Sequence, residues 1–103
     1  MTVLCAHQPE YLPYLGFVHK ALHCDTFVLL DHVQYKSDNF QNRNRVRTPS
    51  GECWLTVPVR KHELHTPINK IEIDNSKNWQ KKHLLTIRQC YSKTDHFDNY
   101  MGF

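Results

Sequence analysis

The amino-acid sequence predicts an α/β protein: an N-terminal βαβ unit with parallel strands, followed by a β-hairpin, a short strand and a C-terminal helix. Three observations support this fold class. Residues 2–30 contain an apolar run, a segment with helical spacing and a second apolar run. A proline–glycine turn signal then separates two strand-like segments, and helix-capping residues precede an amphipathic segment near the C-terminus.

The βαβ unit begins with Thr2–Ala6, a short apolar run with β-branched character that is typical of a strand. Two prolines four residues apart then enforce an extended loop, because proline fixes φ and disfavours helix at the preceding residue. A helix is expected from about Tyr14 to Cys24. Thr26–Leu30 is almost wholly apolar, as in a parallel strand that is buried on both faces. The helical spacing is set by Leu15, Val18, Ala21 and Leu22.

A β-hairpin is predicted over the middle of the chain. Arg45–Thr48 alternates between basic or polar and apolar character, and residues 49–51 (Pro-Ser-Gly) favour a turn. Trp54–Val59 is strand-like as far as Pro58, which has no amide hydrogen to donate. Further along the chain, Ile71–Ile73 alternates cleanly and predicts a short strand.

The C-terminal helix is expected to begin at a cap formed by Asn75 or Ser76 and to end near Ser92. Asparagine and serine favour such positions because their side chains accept hydrogen bonds from the unpaired amides of the first helical turn. Its apolar side is predicted to comprise Trp79, Leu84, Ile87 and Tyr91.

Composition restricts the classes of function. No apolar run approaches the ~18 residues of a membrane-spanning helix, and the N-terminus has no basic signal-peptide region, so we expect a cytoplasmic protein without a membrane span. The net charge of +3 results from 13 Lys and Arg against 10 Asp and Glu, and the basic residues are scattered. This charge argues against nucleic acid as a partner and permits an anionic small molecule such as a phosphate or a nucleotide.

The cysteine and histidine patterns do not predict a metal centre. The four cysteines are widely spaced and form no C-x-x-C pair, so we expect reduced thiols in the core. The pairs His62-x-x-His65 and His19-x-x-x-His23 have ligand-like spacing, but no cysteine pair accompanies either. We predict no metal site, and the sequence indicates no particular cofactor.

Polar side chains follow both strands of the βαβ unit at their carboxyl ends, where open α/β sheets bind ligands. After the first strand come His7, Gln8, Glu10 and Tyr11, and after the second come Asp31, His32, Gln34 and Tyr35. His7 is a candidate for chemistry, with a backbone hydrogen bond at the strand end as the alternative. Asp31 is a candidate ligand or base, with a loop-capping role as the alternative.

The helix start supplies further candidates. Gly16 has no side chain, so a ligand phosphate could approach the helix N-terminus, where amides and the macrodipole favour anions. His19 lies one turn further on, beside Lys20, and its alternative is a partly exposed helix residue. Residues 42–44 (Asn-Arg-Asn) either bind an anion or organise their loop. The chain contains neither G-x-G-x-x-G nor a P-loop.

Four blocks of this sequence resemble the WbqC-like family. The most specific is His-Gln-Pro-Glu-Tyr-Leu-Pro-Tyr-Leu-Gly from His7 to Gly16, and the others follow in the order expected for the family. These are Phe27–Tyr35, Asn42–Val46 and Gly51–Val59. His32 stands where the family commonly has an acidic residue, which argues against a paired-carboxylate metal site at Asp31. Family members are longer, so the resemblance implies that residues 1–103 form one domain, the N-terminal part of a longer fold.

The resemblance implies a bacterial protein of surface polysaccharide (O-antigen) biosynthesis. The leading hypothesis is a transferase acting on a nucleotide-linked or phosphorylated sugar, with a sugar nucleotide as its partner. The alternatives are a non-catalytic binding or assembly module and a truncated inactive family member; a homo-oligomer or a missing C-terminal half also stays open. Acid–base or charge-stabilising roles fall to His7, His19 and Asp31. Substrate-binding roles fall to Gln8, Tyr11, Gly16, Lys20, Gln34, Arg43 and Asn44.

Overall fold

The computed structural model describes residues 1–101 and begins with the predicted βαβ unit. Strand β1 spans Leu4–His7, helix α1 spans Leu15–Leu22, and strand β2 spans Thr26–Leu29. The two strands pair in parallel, with His7 opposite Leu29. The predicted βαβ unit is therefore confirmed, with elements a few residues shorter than expected.

Helix α1 packs on the strand pair through Phe17, not through the predicted apolar stripe. The Phe17 ring packs edge-on against Phe27, at 5.2 Å between ring centroids, and against the His7 ring at 4.9 Å. Leu15 and Leu22 are 85% and 76% exposed. The periodicity predicted the helix correctly; apolar residues occupy both of its sides, and the largest ring packs inward.

Strand β2 is not buried on both faces, as its apolar sequence had suggested. Val28 and Leu29 are 38% and 52% exposed. Within residues 1–101 the sheet has only two strands, and α1 covers one of its faces. An apolar run indicates a strand, but its burial depends on which elements pack against it.

The predicted hairpin is formed by β3 (Arg43–Thr48) and β4 (Gly51–Thr56), which pair antiparallel. Gly51 closes the turn with φ +130°, a conformation that favours glycine. The inner face carries Val46 and Leu55, and Val57 follows directly after β4; these three side chains are buried. The outer face carries the arginines of β3, since successive residues of a strand point to opposite sides.

The C-terminal part contains a short 3₁₀ helix (Ile68–Lys70), α2 (Trp79–Tyr91) and α3 (Phe97–Tyr100). Asn78 caps α2 by accepting a hydrogen bond from the Lys81 amide at 3.3 Å, so the cap lies later than Asn75 or Ser76. The predicted short strand is represented by one β-bridge, between Ile73 and Val59. No helix within residues 1–101 has the length and apolar character needed to cross a membrane.

A buried histidine joins α2 to the rest of the fold. His83 is 7% exposed, and its Nδ1 lies 2.8 Å from the Tyr11 hydroxyl. Its Nε2 donates to the Thr56 carbonyl at 3.1 Å, so the ring connects the N-terminal loop, the hairpin and α2. Burial raises the pKa of Tyr11, which keeps the hydroxyl protonated as a donor to His83. Leu84, on the predicted apolar side of this helix, is 52% exposed.

Candidate active site

The candidate site centres on His7, the last residue of β1. Its Nε2 lies 2.9 Å from Oε2 of Glu10, and the two side chains are 23% and 15% exposed. The edge-on contact with Phe17 fixes the ring from the other side. A carboxylate that accepts from Nε2–H holds the imidazole in one tautomer and leaves Nδ1 unprotonated. This pair therefore has the geometry of a proton acceptor supported by a carboxylate.

A polar cavity of about 290 Å³ opens beside this pair. Its lining consists of His7, Gln8, Glu10, Leu30, Asn39 and Gln41. The Gln41 amide nitrogen donates to Gln8 Oε1 at 2.7 Å, and Gln41 Oε1 accepts from the Lys36 amide at 2.9 Å. Both amide groups are thereby oriented. Within residues 1–101 the Gln8 amide nitrogen makes no hydrogen bond, so it is free to donate to a ligand.

The sequence assigned no role to Glu10 or Gln41, although both line the cavity. The sequence could have indicated a role for Glu10, because its carboxylate lies three residues after His7 in a loop restrained by prolines. No comparable signal exists for Gln41, since 33 residues separate it from Gln8. Its position depends on the path of the loop between β2 and β3.

The two other predicted acid–base residues lie outside the cavity lining. His19 is exposed on α1 and stacks on His23, with ring centroids 4.1 Å apart. Asp31 is exposed beyond β2, and its backbone carbonyl accepts from the Asn69 amide at 2.8 Å. The Leu30 amide donates to the His7 carbonyl at 2.8 Å, so the segment leading to Asp31 runs beside the candidate site.

Two predicted binding residues of α1 make structural contacts. Lys20 Nζ donates to the Ala6 carbonyl at 2.7 Å and so ties α1 to β1. Gly16 leaves room for the Tyr14 ring, which occupies the space that a Cβ would need. In this structure the missing side chain accommodates a neighbouring ring.

The remaining predicted binding residues are distributed around the site. Tyr11 is held by His83, as described above. Gln34 Oε1 lies 3.0 Å from His65 Nδ1, in a separate cavity of about 380 Å³. Arg43 lies over the Trp54 ring at 4.2 Å and donates from Nε to the Asn39 carbonyl at 3.2 Å. Of the predicted residues, the structure brings only His7 and Gln8 together in the cavity lining.

Asn44 holds the loop that carries the site. Its amide nitrogen donates to the carbonyls of Tyr11 and Leu12, at 3.3 and 2.6 Å. Leu12 adopts a φ of 47°, a left-handed conformation that is unfavourable for a leucine. The two hydrogen bonds offset this strain and fix the chain between Glu10 and α1.

We expect Asn44→Ala to lower the free energy of unfolding by about 1–3 kcal/mol, since it leaves two carbonyl groups without their donor. Urea denaturation measures this change. Asn99→Ala, on an exposed residue of α3, serves as the control and is expected to change stability by less than about 0.5 kcal/mol. Equal stabilities of the two variants would show that Asn44 does not brace the loop.

Within the part of the chain that the structure describes, no group of three or more His, Cys, Asp or Glu side chains is arranged to hold a metal ion. The cysteines among these residues are half-buried free thiols.

Comparison with known proteins identifies the family. The sequence profile of the WbqC-like protein family matches residues 8–103. A Mycobacterium tuberculosis (strain H37Rv) protein described as "Uncharacterized protein Rv1507c" is 35% identical over 91 residues, which are 87% of this chain and 39% of the relative. The chain thus spans well under half the length of that relative. No solved structure matches the chain significantly. Because the profile match covers nearly the whole chain, the chain belongs to the WbqC-like protein family.

Proposed function

We propose that this chain contributes the acid–base site of a transferase that acts on a nucleotide-linked or phosphorylated sugar in bacterial surface polysaccharide (O-antigen) biosynthesis. The observation that carries the proposal is the His7–Glu10 pair at the edge of a polar cavity. The pair lies at the carboxyl end of a parallel strand, where α/β proteins place their ligands. The polysaccharide pathway follows from the family resemblance.

The proposed chemistry uses Nδ1 of His7 as the general base. An acceptor hydroxyl or amine attacks the transferred group while its proton passes to Nδ1. The bond to the donor oxygen breaks, and its electron pair stays on that oxygen. Glu10 stabilises the imidazolium that forms, because its carboxylate lies against Nε2. Gln8 donates a hydrogen bond that positions the substrate, and Gln41 holds the Gln8 amide in place.

His19 and Asp31 lie farther from the reacting groups in this proposal. Both are exposed and lie outside the lining of the cavity. They keep their proposed charge-stabilising roles only for a substrate that extends beyond the cavity. Asp31 is the better placed of the two, since it follows the residue that is hydrogen-bonded to the His7 backbone.

A panel of sugar nucleotides and sugar phosphates tests this proposal by thermal unfolding. At ten times its Kd, a ligand that binds only the folded chain adds about 1.4 kcal/mol, which raises Tm by roughly 5–10 °C for a domain of this size. We expect at least one member of the panel to do so. Gln41→Leu should reduce the shift, because it removes the group that orients Gln8.

Arg60→Gln is the control for this experiment. Arg60 forms an exposed ion pair with Glu72, away from the cavity lining, so its replacement should leave the ligand-induced shift unchanged. A panel in which no compound raises Tm would count against a sugar-nucleotide or sugar-phosphate site.

A further inference from the structure

The outer face of the hairpin exposes aromatic rings among arginines. Trp54 and Phe40 are 44% and 36% exposed, and their rings stack with centroids 6.0 Å apart. The guanidinium of Arg43 lies 4.2 Å from the centre of the Trp54 ring, and that of Arg45 lies 5.4 Å from it. Large exposed aromatic side chains beside cationic groups are a recurrent feature of ligand-binding surfaces.

A cavity of about 480 Å³ lies next to this face and shares one lining residue with the candidate active site. Its lining consists of Glu10, Tyr14, Phe40, Asn44 and Arg45. Glu10 also lines the cavity beside His7, so the two cavities share this lining residue. The Tyr14 ring is 59% exposed, and this cavity therefore contains two accessible aromatic rings and one arginine.

The arginine in this cavity is available to an anion. Nη1 of Arg45 lies 3.0 Å from Glu52, but the two side chains are 46% and 64% exposed. Exposed ion pairs contribute little to stability, so a more highly charged anion can replace Glu52. A guanidinium binds phosphate oxygens in a bidentate manner, and aromatic side chains stack on nucleic acid bases.

Charge sets the order of groups along the two cavities. Arg45 favours an anion at the hairpin end, whereas the Glu10 carboxylate disfavours one at the end shared with His7. A nucleoside diphosphate linked to a neutral sugar has this order of charges. A continuing chain of phosphates does not, because it would place negative charge beside Glu10.

We propose that the cavity between Tyr14, Phe40 and Arg45 is the nucleotide subsite of the transferase. The base stacks on the aromatic rings, the diphosphate binds Arg45, and the attached sugar lies beside Glu10 and His7. This inference rests on the proposed function and adds which part of the chain binds the nucleotide. A volume near 480 Å³ falls within the usual range of small-molecule sites.

Isothermal titration calorimetry of the unmodified chain with UDP, GDP, CDP, dTDP and inorganic pyrophosphate tests the subsite. We expect at least one nucleoside diphosphate to bind about 10-fold more tightly than pyrophosphate, because only the nucleotide stacks. Phe40→Leu and Arg45→Gln should each weaken that nucleotide about 10-fold. Arg60→Gln is a matched control, since Arg60 also forms an exposed pair with a glutamate, and it should bind like the unmodified chain.

Three results would overturn the subsite: unchanged nucleotide affinity in both variants, pyrophosphate binding as tight as that of every nucleotide, or tighter binding of an eight-nucleotide RNA. The subsite and the transferase can fail separately. Nucleotide binding that depends on Phe40 and Arg45, without any group transfer, supports the subsite and refutes the transferase. Transfer from a sugar nucleotide with a KM that neither substitution changes supports the transferase and refutes the subsite.

Discussion

Replacing His7 by glutamine is expected to lower kcat for group transfer by about 10²–10⁴-fold, the usual contribution of a positioned general base. Glutamine matches the size of the side chain but cannot take up a proton. Glu10→Gln should cause a smaller loss, because the amide oxygen can still accept from Nε2 while the charge that stabilises the imidazolium is gone. Steady-state kinetics with the sugar nucleotide that raises Tm most measures both effects.

His96→Gln is the control for this prediction, since His96 is an exposed histidine at the start of α3. It should leave kcat and KM unchanged. Full turnover by His7→Gln would contradict the acid–base role of His7.

Replacing His83 by alanine is expected to lower the free energy of unfolding by about 3 kcal/mol. The substitution leaves the Tyr11 hydroxyl and the Thr56 carbonyl unpaired and opens a cavity beside the Trp79 ring, which lies 5.2 Å from the imidazole. Domains are commonly stable by only about 5–15 kcal/mol, so this loss is a substantial fraction of the total stability. Urea denaturation followed by circular dichroism measures it.

Leu84→Ala tests whether the effect belongs to His83 and not to α2 in general. Leu84 is the next residue and is 52% exposed, so its truncation should change stability by less than about 0.5 kcal/mol. Tyr11→Phe, which removes only the hydroxyl, should lie between the two, at about 1–2 kcal/mol. A His83→Ala variant as stable as Leu84→Ala would show that the buried histidine does not hold the fold together.

Local patterns in the sequence were sufficient to predict the types of secondary-structure element. The apolar runs, the two prolines and the Pro-Ser-Gly turn predicted the βαβ unit and the hairpin, because strand, loop and turn preferences act over a few residues. These patterns did not predict which side chains are buried. Leu15 and Leu84 are apolar and exposed, whereas His83 is polar and buried, since both outcomes depend on which element lies opposite.

The candidate site likewise has some features that the sequence predicts and others that depend on the tertiary structure. The sequence alone determined that His7 and Gln8 lie at the carboxyl end of β1, where a ligand site is expected, because the strand end and the proline-restrained loop are local features. Only the tertiary structure decided that Gln41 holds Gln8, 33 residues away, and that Tyr11 donates to His83, 72 residues away. Contacts over such separations depend on how loops close and side chains pack, and no short-range preference of the chain encodes them.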